Sequence, residues 1–170
     1  MQDYTPIQYA VINKLFPCQK TILGDFGQSV NPNHMHTLED MGKLYENAEL
    51  IELNKSYRST YEIITFAKRI HHVTSLEPME RHGDVPGMIP CSSSSNEIKR
   101  IQMEIEQFLK RGNASLGIIT KTNQAAKVLY DQLAATCPIH LITPESTNFI
   151  NGVSITSIQM SKGLEFDEVI

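Results

Sequence analysis

The stretch "LGIITKTNQAAKVLYDQLAATCPIHLIT" (116–143) indicates the fold class of this chain. It opens with a short apolar run at 116–120. A helical pattern follows, whose N-cap we predict to be Asn123, and a second apolar run closes the stretch at 138–143. Short, fully apolar strands that alternate with helices are typical of a parallel sheet covered on both faces. The sequence therefore predicts an α/β fold with a three-layer parallel sheet.

The same alternation continues on both sides of this stretch. Further strands are predicted at "KTILGD" (20–25), "AELIEL" (48–53), "GVSITSI" (152–158) and "FDEVI" (166–170). A helix is predicted after Thr5 and Pro6, with the inner stripe Ile7, Ala10, Val11 and Leu15. A second helix is predicted at 37–47. Two more are predicted from capping-box pairs, one after Ser59 with Glu62 and one from Ser94 with Glu97 to Gly112. The stretch 72–96, rich in proline and serine, is expected to be irregular.

The composition is that of an ordinary soluble globular protein. The 170 residues are 41% hydrophobic and 20% charged, enough for one sizeable domain or for one domain and part of another. No apolar run approaches the roughly 18 residues of a membrane span, and no signal peptide is predicted. The net charge of −4 and the pI near 5.8 argue against a dedicated nucleic-acid-binding module, but they leave room for a small local patch.

Cysteines and histidines give no metal signature. The three cysteines are far apart and form no CxxC pair, which favours reduced thiols and a cytoplasmic protein. The pairs His34/His36 and His71/His72 have no carboxylate or cysteine beside them in ligand spacing. We therefore favour structural or surface roles for these histidines over metal ligation.

Three polar clusters follow predicted strands, and ligands of parallel sheets collect at such carboxyl ends. The clusters are "GDFGQS" (24–29), "SYRST" (56–60) and "QMSKGLEF" (159–166). Gln28 offers both a donor and an acceptor, and Arg58 offers a bidentate fork for phosphate oxygens. Each cluster alone is weak, because the first also fits a tight turn and the third a helix C-cap. The phosphate cradle GxxxxGK[ST] is absent, so the clusters predict sensing of a terminal phosphate rather than its capture.

The order of these clusters resembles a known family. The segments "ILGDFGQSV", "LNKSYRSTYEIITFA", "GIITKTNQAAKVLYDQL" and "GVSITSIQMSKGLEFDEVI" follow one another as in superfamily 1 DNA helicases of the UvrD/Rep/PcrA type. The resemblance covers nearly the whole chain. It includes the family's third-motif form GDxxQS, its fourth-motif form NYRS and its fifth-motif form KGLEFD. "QDYTPIQ" (2–8) is similar to the tail of the second motif, DExQD.

The resemblance implies a C-terminal motor fragment of a longer helicase. Residues 1–50 would be the end of the first RecA-like motor domain, and residues 51–170 the second RecA-like domain, truncated before the sixth motif. The Walker A loop and the carboxylates that organise Mg²⁺ would lie outside this chain. ATP and Mg²⁺ are thus implied as cofactors of the full-length parent, DNA as its partner, and inactivity is expected of the fragment alone.

The resemblance also implies residue roles. Arg58 matches the arginine that points across the interdomain cleft at the γ-phosphate and stabilises charge during phosphoryl transfer. Gln28 matches the glutamine that touches the γ-phosphate or the attacking water. Glu165 matches a contact to the nucleotide ribose. Gly163 and Lys162 complete the fifth motif, near the junction of the nucleotide and DNA sites.

The chain departs from the family where the family contacts DNA. Asn31 and Asn33 replace a tyrosine and the tryptophan that stacks on a base, and the chain has no tryptophan. Base stacking contributes about 1–3 kcal/mol per base, so its loss weakens an ordinary translocase. Gln159 stands where many relatives have a histidine facing single-stranded DNA, and glutamine can still bind a phosphate. Asn33, Gln159 and Lys162 remain the candidate DNA contacts.

Two alternatives to a DNA helicase stay open. Only residues 137–151 separate the helix at 123–136 from the strand at 152–158, so the accessory subdomain of UvrD-like enzymes is absent. A trimmed motor of this kind fits a helicase-like ATPase that acts on a protein partner such as RNA polymerase. The other alternative is an interaction module that kept the fold without the chemistry, and the retention of Gln28, Arg58 and Glu165 counts against it.

Overall fold

The computed structural model describes residues 2–29, 38–45, 47–71, 76–148 and 150–170. Contacts within the chain divide it into two compact units, Met1–Met88 and Ile89–Ile170. The sequence instead predicts a boundary between two motor domains at residues 50 and 51. It stays a prediction, because compactness alone assigns neither unit to a motor domain.

The first unit contains mostly helices and irregular segments. Its elements are helix α1 (Pro6–Leu15), a 3-10 turn (Phe26–Gln28), helix α2 (Leu38–Leu44), strand β1 (Lys55–Ser56), helix α3 (Tyr61–Ile70) and strand β2 (Glu77–Pro78). β1 and β2 pair in parallel, with Lys55 opposite Glu77. The helices predicted after Pro6 and at 37–47 are thereby confirmed.

The two strands predicted in this unit, 20–25 and 48–53, are wrong. Both segments are irregular, and Leu23 and Leu53 are 78% and 87% exposed. A strand is stable only beside a hydrogen-bonded neighbour, and within the described ranges neither segment has one. Apolar composition therefore marked segments that could form strands, but it did not supply the partner strand that each of them needs.

Helix α1 begins as predicted and buries a different face. Thr5 and Gln8 form a reciprocal capping box, and Pro6 occupies the first helical position. The predicted inner stripe is wrong, since Ile7, Val11 and Leu15 are exposed. Tyr9 is buried instead, with its ring centroid 5.8 Å from Tyr4 and 6.2 Å from Tyr45. An aromatic ring in edge contact with two others buries more surface than an aliphatic residue of this short helix.

The second unit is built on a parallel sheet. Its elements are helix α4 (Ser94–Arg111), strand β3 (Ser115–Thr120), helix α5 (Asn123–Leu133) and strands β4 (Ile139–Leu141), β5 (Gly152–Ser157) and β6 (Glu168–Val169). The strand order is β4-β5-β3-β6, and every neighbouring pair is parallel. All four strands predicted for this half of the chain are confirmed. No helix in the described ranges is long and apolar enough to cross a membrane.

The core of this unit lies on one face of the sheet. Leu116 is opposite Val153 and Ile118 is opposite Ile155, so these side chains share a face because alternate residues of a strand point the same way. They pack with buried residues of the two helices: Ile101, Ile105 and Phe108 of α4, and Ala126 and Leu133 of α5. Ile101, Ile105 and Phe108 recur at helical spacing and so form the buried face of α4, while Leu109 is exposed.

The opposite face carries small and polar residues. Gly117, Ser154 and Thr156 alternate with the core residues, and Ser154 and Thr156 are buried. Gly117 lies against the ring of Phe166, at a spacing that leaves no room for a Cβ atom. The α/β class and the parallel sheet are therefore confirmed, while the RecA-like three-layer assignment stays a proposal.

Three helices begin one residue away from the predicted capping positions. The N-caps are Thr60, Ser93 and Thr122, where Ser59, Ser94 and Asn123 were predicted. In each case the cap is the hydroxyl that accepts a hydrogen bond from the backbone N–H three residues on. The neighbouring Ser, Thr and Asn side chains all offer an oxygen that can accept this hydrogen bond, so the choice between neighbours depends on the backbone path into the helix.

The packing of Phe166 on Gly117 gives a stability prediction. A Cβ atom at Gly117 would lie 2.6 Å from Phe166 Cδ2. Gly117→Ala should therefore destabilise the chain by about 1–3 kcal/mol, as overpacking does. Adding Phe166→Leu should recover part of the loss, because it frees the space. Gly87→Ala is the matched control, since a Cβ atom there meets nothing within 4 Å. Urea unfolding measures all four proteins, and equal effects at Gly117 and Gly87 would contradict the prediction.

Candidate functional site

The turn in the cluster "GDFGQS" (24–29), called the third-motif turn after the family resemblance, is closed by a single carboxylate. Asp25 Oδ1 accepts a hydrogen bond from the backbone N–H of Gly27 at 2.9 Å, and Oδ2 accepts one from Gln28 Nε2 at 2.7 Å. Because a carboxylate only accepts, the amide nitrogen of Gln28 must face it. The amide oxygen is then turned away from Asp25 and can accept a hydrogen bond from another group. Gln2 adds support, since its Oε1 accepts from the backbone N–H of Asp25 at 3.1 Å.

Arg58 lies on the bend between β1 and α3. Arg58 is exposed, and its backbone carbonyl accepts a hydrogen bond from Arg81 Nη1 at 3.1 Å. Two residues later Thr60 Oγ1 caps α3 through the backbone N–H of Ile63. Arg58 is thus held at the N-terminal end of a helix. The partial positive charge of such an end adds to the attraction of a guanidinium for an anion.

The first turn of α3 is tied to the segment that follows β2. Glu62 Oε2 accepts from the backbone N–H of Gly83 at 2.9 Å, and Glu62 Oε1 accepts from His82 Nδ1 at 2.8 Å. The hydrogen bond from His82 is the main reason why the pKa of the Glu62 carboxyl is lowered, and the bond from Gly83 adds to it. Both interactions favour the ionised carboxylate, so Glu62 holds this contact most firmly when it is charged.

The segment 158–166, called the fifth-motif turn after the family resemblance, starts from the carboxyl end of β5. Ser157 Oγ donates to Asn123 Oδ1, at the start of α5, and accepts from the backbone N–H of Met160 at 3.3 Å. Further along, the backbone N–H of Leu164 donates to the Ser161 carbonyl at 2.9 Å. Gly163 lies inside this turn with φ of 86°, a conformation that residues with a side chain rarely adopt. Glycine is therefore favoured at this position, and a residue with a side chain would strain the turn.

The far end of this turn is anchored to β3. Asp167 Oδ2 accepts from the backbone N–H groups of Ala114 and Ser115, each at 2.9 Å. The next residue, Glu168, accepts from Arg111 and from Asn113, each at 2.6 Å. The segment that carries Lys162, Gly163 and Glu165 is thus held at both ends, by Ser157 and by Asp167.

The predicted site residues fall into both units. Gln28 and Arg58 lie in the first unit, each with its own set of contacts. Lys162, Gly163 and Glu165 share one turn in the second unit, where Lys162 is half-buried and Glu165 exposed. Gln159 is an exposed residue at the start of the same turn. Asn33 lies outside the described residues, as does Asn31. The roles implied for all of these residues stay predictions.

Several residues beside the site were given no contact with it in the sequence reasoning. Arg81, His82 and Gly83 lie in a stretch interpreted only as irregular, and no spacing signal connects them with Arg58 or Glu62. Ser157 and Asn123 belong to predicted elements, but their contact joins a strand end to a helix start. Such contacts arise from folding, so no local pattern predicts them.

The described residues do not form a metal site. In these ranges no three His, Cys, Asp or Glu side chains are grouped so that they could hold a metal ion. His34, His36 and His72 lie outside the described residues. The Mg²⁺ implied by the family resemblance therefore has no set of side-chain ligands among the described residues.

The contact of Glu62 gives a pH prediction. Its pKa is lowered in the folded state, so the stabilisation is present above the ordinary carboxyl pKa of 4.5 and is lost as the pH falls through the lowered value. Glu62→Gln should therefore lower Tm at pH 7, and the difference from wild type should shrink as the pH falls below about 4.5. Tm by circular dichroism from pH 7 to pH 3 measures this. A difference that stays constant with pH would contradict it, and Glu80→Gln at an exposed carboxylate is the control.

Comparison with known proteins identifies no family for this chain. No family model matches the chain, and no curated protein matches it either. The resemblance to superfamily 1 helicases therefore depends on the ordered motifs of the sequence.

Proposed function

We propose that the chain is the C-terminal motor region of an ATP-dependent DNA helicase or translocase of superfamily 1, which couples ATP hydrolysis to movement on DNA. The observation that carries the proposal is the closed third-motif turn, in which Asp25 accepts one hydrogen bond from the backbone N–H of Gly27 and one from Gln28 Nε2, so that it orients the Gln28 amide. The order of the three motifs supports the same assignment. ATP would be bound mainly by a first motor domain outside this chain.

The geometry around Gln28 favours one of its two implied roles. Its amide nitrogen donates to Asp25, which turns the amide oxygen toward any group that approaches from the other side. Phosphate oxygens only accept hydrogen bonds, whereas a water molecule donates them. An amide oxygen therefore suits the attacking water better than the γ-phosphate. Gln28 would orient that water for in-line attack.

Arg58 would supply the electrostatic part of the reaction. Negative charge builds on the transferring phosphoryl group, and a guanidinium placed beside it lowers the barrier because the benefit is greatest in the transition state. Arginine fingers in comparable enzymes contribute about 10³–10⁵ in rate. The position of Arg58 at a helix start, exposed and with its carbonyl held, is compatible with this role.

The surface of the first unit supports an additional domain. Leu23, Leu50, Ile51 and Leu53 are all more than half exposed, and they lie in the two apolar runs that form no strand. Exposed apolar segments of this kind are typical of surfaces that another domain or partner covers. The proposal requires a longer parent with a GxxxxGK[ST] loop and an Asp-Glu pair before Gln2. The sequence of the gene decides this directly.

The isolated chain should neither bind ATP tightly nor hydrolyse it. Without a phosphate cradle, its residues can contact only one side of the nucleotide. Calorimetry with Mg-ATP should show no saturation below about 1 mM, which corresponds to only about 4 kcal/mol of binding free energy. A micromolar Kd, or turnover by this chain alone, would overturn the assignment as a partial motor.

Arg58→Ala in the full-length parent should lower kcat for ATP by about 10³-fold or more. KM for ATP should change much less, because the Walker A loop would hold the phosphates. Arg58→Lys should rescue poorly, since a flexible point charge does not reproduce the planar fork. Arg69→Ala, at the opposite end of α3, is the matched control. An unchanged kcat with a lowered Tm would make Arg58 a structural residue instead.

A second candidate is a helicase-like ATPase that acts on a protein such as RNA polymerase. The lack of tryptophan favours it, and so does the short path from α5 to β5, where the described residues contain only β4. ATP turnover of the parent with single-stranded DNA and with RNA polymerase separates the two. Stimulation by DNA supports the helicase, and stimulation by the polymerase alone supports the second candidate.

A further inference from the structure

We propose that the segment Met79–Gly83 is a positioning brace for Arg58 and that Arg81 is its main residue. The inference rests on the proposed function, because it concerns how the phosphate-sensing arginine is held. Arg81 itself would touch neither nucleotide nor water. It would act by fixing the backbone from which the side chain of Arg58 extends.

Arg81 binds both sides of the bend that carries Arg58. Its Nη1 donates to the Arg58 carbonyl at 3.1 Å, and its own carbonyl accepts from the backbone N–H of Tyr61 at 2.8 Å. The first contact restrains the peptide group that follows Arg58. The second occupies the N–H of the first helical residue of α3, which has no partner within the helix. One residue therefore links the bend to the helix start.

The rest of the segment keeps Arg81 in place. Before it, the backbone N–H of Met79 donates to the Ser56 carbonyl at 3.3 Å, which extends the pairing of β1 with β2. After it, His82 and Gly83 donate to the two oxygens of Glu62. The brace thus reaches the bend from both directions, and its contacts converge on residues 56–62.

The close fit at Gly83 shows how little space separates the segment from the bend. A Cβ atom at Gly83 would lie 2.7 Å from Thr60 Cγ2, closer than real Cβ contacts. Thr60 is the cap of α3 and lies two residues after Arg58. Any displacement of the segment toward α3 would therefore move the cap, and with it the bend.

Helix α3 has features of its own that would form it without Arg81. Thr60 caps its first turn, Ile64 is buried, and Lys68 and Arg69 occupy its last turn, where cations are favourable. A bond to the Arg58 carbonyl adds little to this helix, because Arg58 lies outside it. The bond does control the direction of Arg58. A misplacement of about 1 Å at a reacting group can cost roughly 10²-fold in rate.

The test is a double-mutant cycle in the full-length parent. Arg81→Met keeps the aliphatic stem and removes the donors, and it should lower kcat for ATP by roughly 10- to 100-fold with little change in KM. Arg81→Lys should retain part of the rate, because an ammonium can still donate to the carbonyl. In the background of Arg58→Ala, Arg81→Met should cause no further loss, since it acts only through Arg58. Arg69→Met is the matched control.

Each outcome is decisive. If Arg58→Ala slows the enzyme and Arg81→Met does not, the brace is overturned and the proposed function stands. If Arg81→Met multiplies the loss of Arg58→Ala, Arg81 acts independently and the brace is also overturned. If Arg58→Ala leaves kcat unchanged, both proposals fail. Rates are taken per folded molecule by circular dichroism, and Arg81→Leu, which also lacks a donor, replaces Arg81→Met if that variant does not fold.

Discussion

The six-residue parallel ladder between β3 and β5 is the constraint on which the second unit depends. It pairs Ser115–Thr120 with Gly152–Ser157 in one register, so Leu116, Ile118, Val153 and Ile155 all lie on the face that packs against α4 and α5. A shift of β5 by one residue would turn Val153 and Ile155 to the other face. The same register brings the end of β5 beside the start of α5, where Ser157 meets Asn123. The fifth-motif turn begins from that contact.

A second feature is common to all three motif regions. In each, one carboxylate accepts a backbone N–H and fixes a turn: Asp25 for the turn at Gln28, Glu62 for the start of α3, and Asp167 for the end of the fifth-motif turn. Hydrogen bonds to an ionised acceptor are roughly twice as strong as neutral ones. A short loop gains rigidity from one such residue without a large apolar core. This explains how the first unit, which buries few apolar side chains among its described residues, still orders its bends.

Arg58 shows the difference between a proposed site residue and its support. Arg58 was proposed to contact a phosphate from the motif order, because phosphate chemistry restricts the choice to a few side chains. The support comes from Arg81, His82 and Gly83, about twenty positions further along the chain. Backbone carbonyls and carboxylates accept from many donors, so these positions carry no residue signature. The supporting contacts are therefore decided by the folded structure and not by a local sequence pattern.

By itself the sequence determined the elements whose signals are local. Apolar periodicity and Gly112 defined α4, Thr5 with Pro6 defined the start of α1, and the continuous apolar runs of β3, β4 and β5 predicted a buried parallel sheet. The candidate residues Gln28, Arg58 and Glu165 were also chosen from sequence. Tertiary structure alone decided which apolar segments found partners, and among the described residues 20–25 and 48–53 have no strand neighbour. It also decided that Tyr9, and not Ile7 or Val11, is buried in α1. The physical reason is that strand pairing and burial require a second surface from a distant part of the chain, and a local pattern contains no information about that surface.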